Sequence, residues 1–300
     1  MPLIRIGTSE QDGTFHSQGR ALKAILDRRP ALAPVDVLTA ASASIENANR
    51  LDEGAIQFGF MASNWIGRAN KGEAPFTRPL DIRMAAPMNA GPLFFVTRAD
   101  AAIYTIADLR GRRVALGMAG SGMVQHAHVI LGVLGLGFAD FTPVYLDFAA
   151  GADALASGAV DAQFQCPIPN KVMRDLAARV RLRVLSYAPG ELAAVIAAVP
   201  YYRDTVIRKG AIENFDQDVA QVAVINVLAT HARVADTIVH ETVAAIVSDA
   251  DELARLIPLF QGLSDLFAPL RRQGAAALEF GGVALHPGAL AAYRDAGLLG

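Results

Sequence analysis

The sequence predicts an α/β protein of two doubly wound α/β lobes joined by a two-strand hinge, and three observations carry that reading. A chain of 300 residues, 53% hydrophobic and 19% charged, exceeds the usual size of a single core and is too apolar to remain disordered. Short β-rich runs alternate with helical patterns over the first two thirds, as they do where parallel strands are joined by crossover helices. One further β-branched run, 219–228, arrives after the second series of units has ended, so the second lobe is read as inserted into the first.

Taken in order, residues 3–7, 35–39 and 57–61 read as strands. Between them, helix 16–29 puts Ala21, Leu22, Ile25 and Leu26 on one face, and a shorter helix covers 44–52. Strands at 81–86 and 93–97 follow. Thr105-Ile106-Ala107-Asp108 has the S/T-x-x-D capping-box form that opens a new unit. The second series then runs strand 113–116, helix 121–134, strand 144–146, helix 149–157, strand 162–165, helix 168–178 and strand 182–185. The run 219–228 is too short for a membrane span and is placed as a strand beside 93–97; everything after residue 232 reads as helical. Lobe 1 is thus expected over 1–92 and 225–300, lobe 2 over 99–218, and the hinge crossings over 93–98 and 219–224. A cleft above such a hinge is a preferred place for a small ligand.

Composition removes several function classes. With 27 basic against 29 acidic residues, a formal net charge of −2 and 7% aromatics, the chain has neither the basic field nor the stacking platform expected of a nucleic-acid binder. Cys166 is the one cysteine, so no internal disulfide and no thiolate-rich zinc site is expected. His126 and His128, two apart on a helix, point about 200° apart and cannot chelate one metal ion. The glycine spacing at 117–122 is G-x-x-G-x-G, not the dinucleotide fingerprint, and no G-x-x-x-x-G-K-[ST] occurs, so no cofactor is expected. A monomer is expected. The stretch 114–139 is uncharged but broken by Gly117, Gly120, Gly122, Gly132, Gly135 and Gly137, and reads as strand, loop and helix rather than a span. Met1-Pro2-Leu3-Ile4-Arg5 lacks the basic and apolar regions of a secretory signal, and as it stands the chain is expected to be cytoplasmic.

In open α/β sheets ligands bind beyond the carboxyl ends of the strands. Here those positions carry Thr8, Ser9, Glu10, Gln11, Asp12, Gly13, Thr14 and Phe15 after the first strand. Ala41, Ser42, Ala43 and Ser44 follow the second strand, and Ala62, Ser63 and Asn64 the third. In the second lobe they are Ala119, Gly120, Ser121, Gly122 and Met123, together with Gln165, Cys166 and Pro167. With Asn89, between strands 81–86 and 93–97, the expected ligand-binding set is Thr8, Ser9, Glu10, Thr14, Phe15, Ser42, Ser44, Ser63, Asn89, Ala119, Gly120, Ser121, Gly122, Met123, Gln165, Cys166 and Pro167. Hydroxyls and free backbone N–H groups at helix starts suit a carboxylate without any Lys or Arg. The same residues equally serve as helix caps and tight turns. Glu10, Asp12, His16 and Cys166 are the alternative set, for an enzyme on the same scaffold such as a decarboxylase or isomerase. Against that stand the exposed setting of the acidic loop, the placing of His16 at a helix start, and the absence of a histidine adjacent to Cys166.

Several segments together resemble one family, the TAXI-type solute-binding proteins of tripartite ATP-independent periplasmic (TRAP) transporters, which have the type II periplasmic-binding-protein fold. These are Ile6-Gly7-Thr8 to Gly13-Thr14-Phe15, Ser44-Ile45-Glu46-Asn47, Asp108-Leu109-Arg110-Gly111-Arg112-Arg113-Val114 with Gly120-Ser121-Gly122, Ala154-Leu155 to Val160-Asp161-Ala162, and His286-Pro287-Gly288-Ala289 to Tyr293. The resemblance implies capture of a glutamate-like amino acid or another small carboxylate by hinge closure. It also implies delivery to TRAP membrane permease subunits and, for a chain whose leader is missing, a periplasmic location. The departures fall in the ligand-facing loops. Ser9, Glu10, Gln11 and Asp12 stand where the family is glycine-rich, Phe15-His16 replaces a tyrosine pair, and Met123 replaces a threonine.

Overall fold

The computed structural model describes residues 3–11, 13–32 and 34–300. The chain runs β1 (Ile4–Gly7), α1 (Thr14–Leu26), β2 (Val35–Leu38), α2 (Ser44–Asp52), β3 (Phe58–Ala62), α3 (Ser63–Lys71) and then a long β4 (Ile82–Arg98). After a 3-10 turn at Ile106–Leu109 come β5 (Arg113–Ala115), α4 (Gly122–Val133), β6 (Thr142–Val144), α5 (Phe148–Ser157), β7 (Ala162–Gln165) and α6 (Lys171–Ala177). Next are β8 (Leu182–Val184), α7 (Glu191–Ala198), β9 (Tyr202–Ile207) and β10 (Val219–His231). The remainder is helical: α8 (Asp236–Ser248), α9 (Ala250–Leu256), α10 (Leu263–Phe267), α11 (Leu270–Gln273) and α12 (Pro287–Asp295). The chain divides into two compact units, Met1–Ala90 with Ile225–Gly300, and Gly91–Val224. It passes from one to the other within β4 and back within β10.

In the first unit β1 lies between β2 and β3, parallel to both, with Ile6 opposite Val37 on one side and Phe58 on the other. The end of β10 adds an antiparallel strand, Asn226 opposite Ala62 and Thr230 opposite Phe58. Ile4, Ile6, Phe58 and Phe60 are fully buried, as are Leu22, Ile25 and Leu26 on the predicted face of α1. The His286 to Tyr293 segment clips α12 onto this unit. His286 Nδ1 accepts the Gly288 N–H at 3.2 Å as helix cap, Pro287 takes the first helical position, and Tyr293 Oη donates to the Ala85 carbonyl at 2.9 Å. A Cβ at Gly288 would stand 2.3 Å from the Asp236 carbonyl oxygen of α8, so only glycine permits that approach.

In the second unit the strand order is β4-β7-β5-β6, with β8 antiparallel to the end of β4 and β9 antiparallel to the start of β10. Phe94, Val96, Leu155, Met173, Leu176, Val184 and Ile207 are among the residues of its core cluster. Caps follow their residue types: Asp147 and Asn170 accept N–H groups at the starts of α5 and α6, and Gly158 ends α5 at φ 78°. Arg113 holds Asp161 at 2.8 Å and donates to the Gly158 carbonyl at 2.8 Å, which ties two of the family-like segments together.

Several elements differ from expectation: the helix expected at 16–29 is Thr14–Leu26, the strand expected at 219–228 runs on to His231, and α7 and β9 were not expected. Strands 81–86 and 93–97 are one continuous β4 that takes in Pro87 and Pro92, since the φ fixed by a proline ring is compatible with extended backbone. The helix expected from residue 168 begins at Lys171, after Pro167, Pro169 and the Asn170 cap. The strand expected at 144–146 is drawn two residues earlier by pairing of Val144 with Ala115. No helix among the described residues is long and apolar enough to cross a membrane.

Candidate functional site

In the first unit most of the expected ligand-facing hydroxyls are already engaged. Thr8 is fully buried and its Oγ1 donates to the Leu38 carbonyl at 2.8 Å, with His16 Nδ1 3.4 Å away. Ser9 Oγ accepts the His16 backbone N–H at 3.2 Å. Ser44 Oγ accepts the Ala62 N–H at 3.1 Å, and Ser63 Oγ accepts the Ile225 N–H at 3.2 Å. These four side chains join the strand ends of the sheet to one another or to their own helix starts. Thr14 is half-buried at the head of α1, Phe15 stacks on Phe60 with centroids 5.7 Å apart, and Glu10 and Ser42 are exposed. Asp12 lies outside the described residues. Ala43, just before α2, holds φ 41°, a left-handed backbone that a residue with a Cβ adopts at a cost of about 1 kcal/mol or more.

What the first unit leaves unspent are carboxamides. Asn89 Oδ1 accepts from Gln18 Nε2 at 2.8 Å and from Asn226 Nδ2 at 3.1 Å, and all three side chains are buried. Gln18 Oε1 and Asn64 Oδ1 are buried without a hydrogen-bond partner. Sequence reasoning placed Asn89 but missed Gln18, Asn64 as a site residue, and Asn226. The legible signal was Asn226, one of two carboxamides, with Gln221, in a largely apolar strand. Asn47 of the S-x-E-N segment is structural, its Nδ2 donating to the Thr8 and Phe60 carbonyls at 2.8 and 2.9 Å.

In the second unit the Gly117 and Gly120 positions at φ 104° and 75° shape the loop after β5, and Ala119 and Gly120 are exposed. Ser121 caps α4, its Oγ accepting the Val124 N–H at 3.4 Å, and Gly122 and Met123 form the half-buried first turn. At the carboxyl end of β7, Gln165 is fully buried and neither its Oε1 nor its Nε2 has a partner. Cys166 and Pro167 follow it and pack toward Gly91, where a Cβ would meet Cys166 Sγ at 3.4 Å and Pro167 Cβ at 3.5 Å. Burial pushes the Cys166 thiol up to about 12, the opposite of the shift that makes a thiolate nucleophile.

A neighbouring cluster went unforeseen. His126 of α4 is buried and its Nδ1 pairs with Tyr202 Oη at 2.7 Å; Tyr201 packs edge-on against Tyr202 at 4.9 Å. Burial lowers His126 to about 4 and holds the Tyr202 hydroxyl well above the usual phenol range, so both are neutral. His128 lies edge-on to Phe138 at 5.3 Å. As expected of residues two apart on a helix, the two histidines serve different surroundings. Among the described residues no group of three His, Cys, Asp or Glu side chains is placed to hold a metal ion.

Apart from the exposed Glu10, the described groups at these strand ends are therefore neutral: hydroxyls, backbone amides and carboxamides. They can bind and orient a polar ligand, and the described members of the alternative catalytic set each have a different setting. Glu10 is exposed, His16 lies beside Thr8 Oγ1, and Cys166 is a neutral thiol.

Known structures with this architecture carry the same fold. A TctC solute-binding protein from Polaromonas is 17% identical, with a TM-score of 0.58 over 88% of this chain and 87% of its own. A periplasmic sulfonate-binding protein SsuA from Methylobacillus flagellatus KT is 17% identical, with a TM-score of 0.52 over 100% of this chain and 88% of its own. A protein from Xanthomonas citri solved with bound ATP is 13% identical, with a TM-score of 0.53 over 87% and 89%. At these identities the likeness establishes the two-lobed α/β fold of periplasmic binding proteins that the sequence predicts, and the sulfonate named for one of these proteins and the ATP bound to another belong to them alone. The NMT1-like family matches residues 6–297. With a match spanning nearly its whole length, the chain belongs to the NMT1-like family.

Proposed function

We propose that this protein is a periplasmic solute-binding protein that captures a small carboxylate-bearing ligand, a glutamate-like amino acid or an organic acid, and delivers it to a TRAP-type membrane transporter. The observation that carries the reading is Gln165. A buried carboxamide with no partner costs about 1–3 kcal/mol per unmet group, and a ligand offering both a donor and an acceptor would remove that cost. Gln165 stands at the carboxyl end of a strand, where α/β folds place their ligands. The uncharged character of the strand-end groups supports recognition through hydrogen bonds and helix-start N–H groups rather than through a buried cation. Membership of the NMT1-like family, the TctC and SsuA likenesses and the TAXI-like segments support the transport role and the location. In this reading the residues at the strand ends of both units contribute to recognition, and the two chain crossings in β4 and β10 act as the hinge.

Thermal-shift screening against amino acids, dicarboxylates and sulfonates, followed by calorimetric titration, tests the proposal. Saturable stabilisation by a carboxylate that weakens in Gln165→Leu supports it. No stabilisation by any of them at millimolar concentration overturns it, and preference for a sulfonate overturns the carboxylate assignment.

A further inference from the structure

We infer that an arginine-lined cavity of the second unit, at the opposite end of β7 from Gln165, binds a small organic oxyanion. The cavity has a volume of about 530 Å³ and is lined by Arg98, Ala99, Asp100, Ala156, Val180 and Arg181. It belongs to the amino-terminal edge of the sheet: Thr97, just before Arg98, is opposite Ala162 at the start of β7, while Phe94 is opposite Gln165 at its end. It is therefore separate from the groups assigned to the transported ligand, and does not rest on that assignment.

The rim is built rather than loose. Arg183 donates to the carbonyls of Ala99 and Ala101 at 2.7 Å and of Ile103 at 3.1 Å, and its guanidinium lies 4.3 Å from the Tyr104 ring centroid. That side chain is held by three backbone carbonyls and one ring face, and it fixes segment 99–103. The two liners are different. Arg98 Nε meets Asp100 at 3.2 Å, which leaves its terminal N–H groups, and its Nη1 lies across Gly158, 3.0 Å from where a Cβ would stand. The Arg181 side chain has no ion pair or hydrogen bond among the described residues, whereas Arg110, Arg113, Arg179 and Arg208 of the same unit each hold an aspartate. Two planar guanidinium groups, one only partly engaged and one unpaired, fit the paired oxygens of a phosphate or carboxylate. The cavity also exceeds what a bare oxyanion fills, since a water occupies about 30 Å³. Ala156 and Val180 offer an apolar wall for the remainder of the molecule. The ligand class is thus an organic phosphate or carboxylate with a compact apolar part.

Backbone amide NMR with phenyl phosphate and with benzoate separates the two chemistries and locates the site. Saturable shifts at residues 98–103 and 180–183 with either probe are expected, weakened at least tenfold in Arg181→Glu and in Arg98→Ala and unchanged in Arg110→Ala. Arg181 is exposed, so its variant keeps the fold if Arg98→Ala does not. Gln165→Leu should leave these shifts intact while it weakens capture of the transported ligand, so the two readings fail separately. Absence of saturable shifts at these residues with both probes, or equal binding in Arg181→Glu, overturns the inference.

Discussion

The strand ends of the two units look alike in sequence and differ in what their side chains have left to give. In the first unit Thr8, Ser9, Ser44 and Ser63 are spent on Leu38, His16, Ala62 and Ile225. In the second, Gln165 is just as buried and has nothing to bind. A hydroxyl placed after a strand is therefore weak evidence of a ligand contact, because the same geometry makes it a tie between neighbouring chain segments. A fully buried carboxamide with both ends unmet is stronger evidence, because folding alone gives no return for keeping it.

The sharpest test of the second unit's buried polar cluster is its acid limit. His126 is held near 4 against an ordinary value of 6.5. The unfolded chain takes up a proton on this side chain as pH falls through 6.5, while the folded chain does so only near 4. Stability is therefore full above about 6.5 and declines as pH drops toward 4, by about 3 kcal/mol at the limit. His231 and His286 of the first unit are also lowered by burial and act in the same direction. The comparison is accordingly between parent and His126→Gln: urea-unfolding free energies measured from pH 7.5 to 4 should show a shallower acid decline in the variant. Parallel curves would mean that burial of His126 does not hold its proton affinity down in the folded chain.

Gln165→Leu comes next in size and has an unusual signature. Removing two unmet polar atoms at nearly constant volume should stabilise the ligand-free protein by about 1–2 kcal/mol and weaken capture of the transported ligand. Urea midpoints and calorimetric titration on the same sample read both effects. A destabilised variant would show that the carboxamide is structural after all, and would erase the contrast between the units. Thr8→Val is the counterpart in the first unit: loss of the hydrogen bond to Leu38 should cost about 1 kcal/mol of stability and leave ligand affinity unchanged. A loss of affinity at Thr8 without loss of stability would reverse the comparison.

Much of the scaffold was legible before the structure because its signals are local. The Thr105 to Asp108 capping box is present, with Asp108 Oδ2 accepting the Tyr104 and Thr105 N–H groups at 2.9 Å. The Ala21, Leu22, Ile25 and Leu26 face of α1 is the buried one. The family-like segments likewise resolve into scaffold chemistry, with Arg113 on Asp161, Asn47 on two carbonyls, and Tyr293 on Ala85. What could not be read was which polar side chains find partners, since those partners lie far along the chain: 30 residues from Thr8 to Leu38, 76 from His126 to Tyr202 and 162 from Ser63 to Ile225. Pairing at such separations is set by the assembled sheet, and so is any carboxamide it leaves unpaired.

The smallest expected effect lies at Ser121, the one loop hydroxyl of the second unit that resembles those of the first. Its Oγ accepts the Val124 N–H at 3.4 Å, a long contact, and the residue is only half-buried. Loss of a helix cap costs about 0.5–2 kcal/mol, and the length of this contact puts Ser121→Ala at the lower end. If Ser121 is a cap and nothing more, the variant should lose about 0.5 kcal/mol of stability and bind the transported ligand as the parent does. If instead the hydroxyl turns from Val124 to a bound carboxylate, affinity should fall about fivefold or more with almost no change in urea midpoint. That second outcome would place the start of α4 beside Gln165 in the ligand's surroundings, and would make the second unit the principal source of recognition.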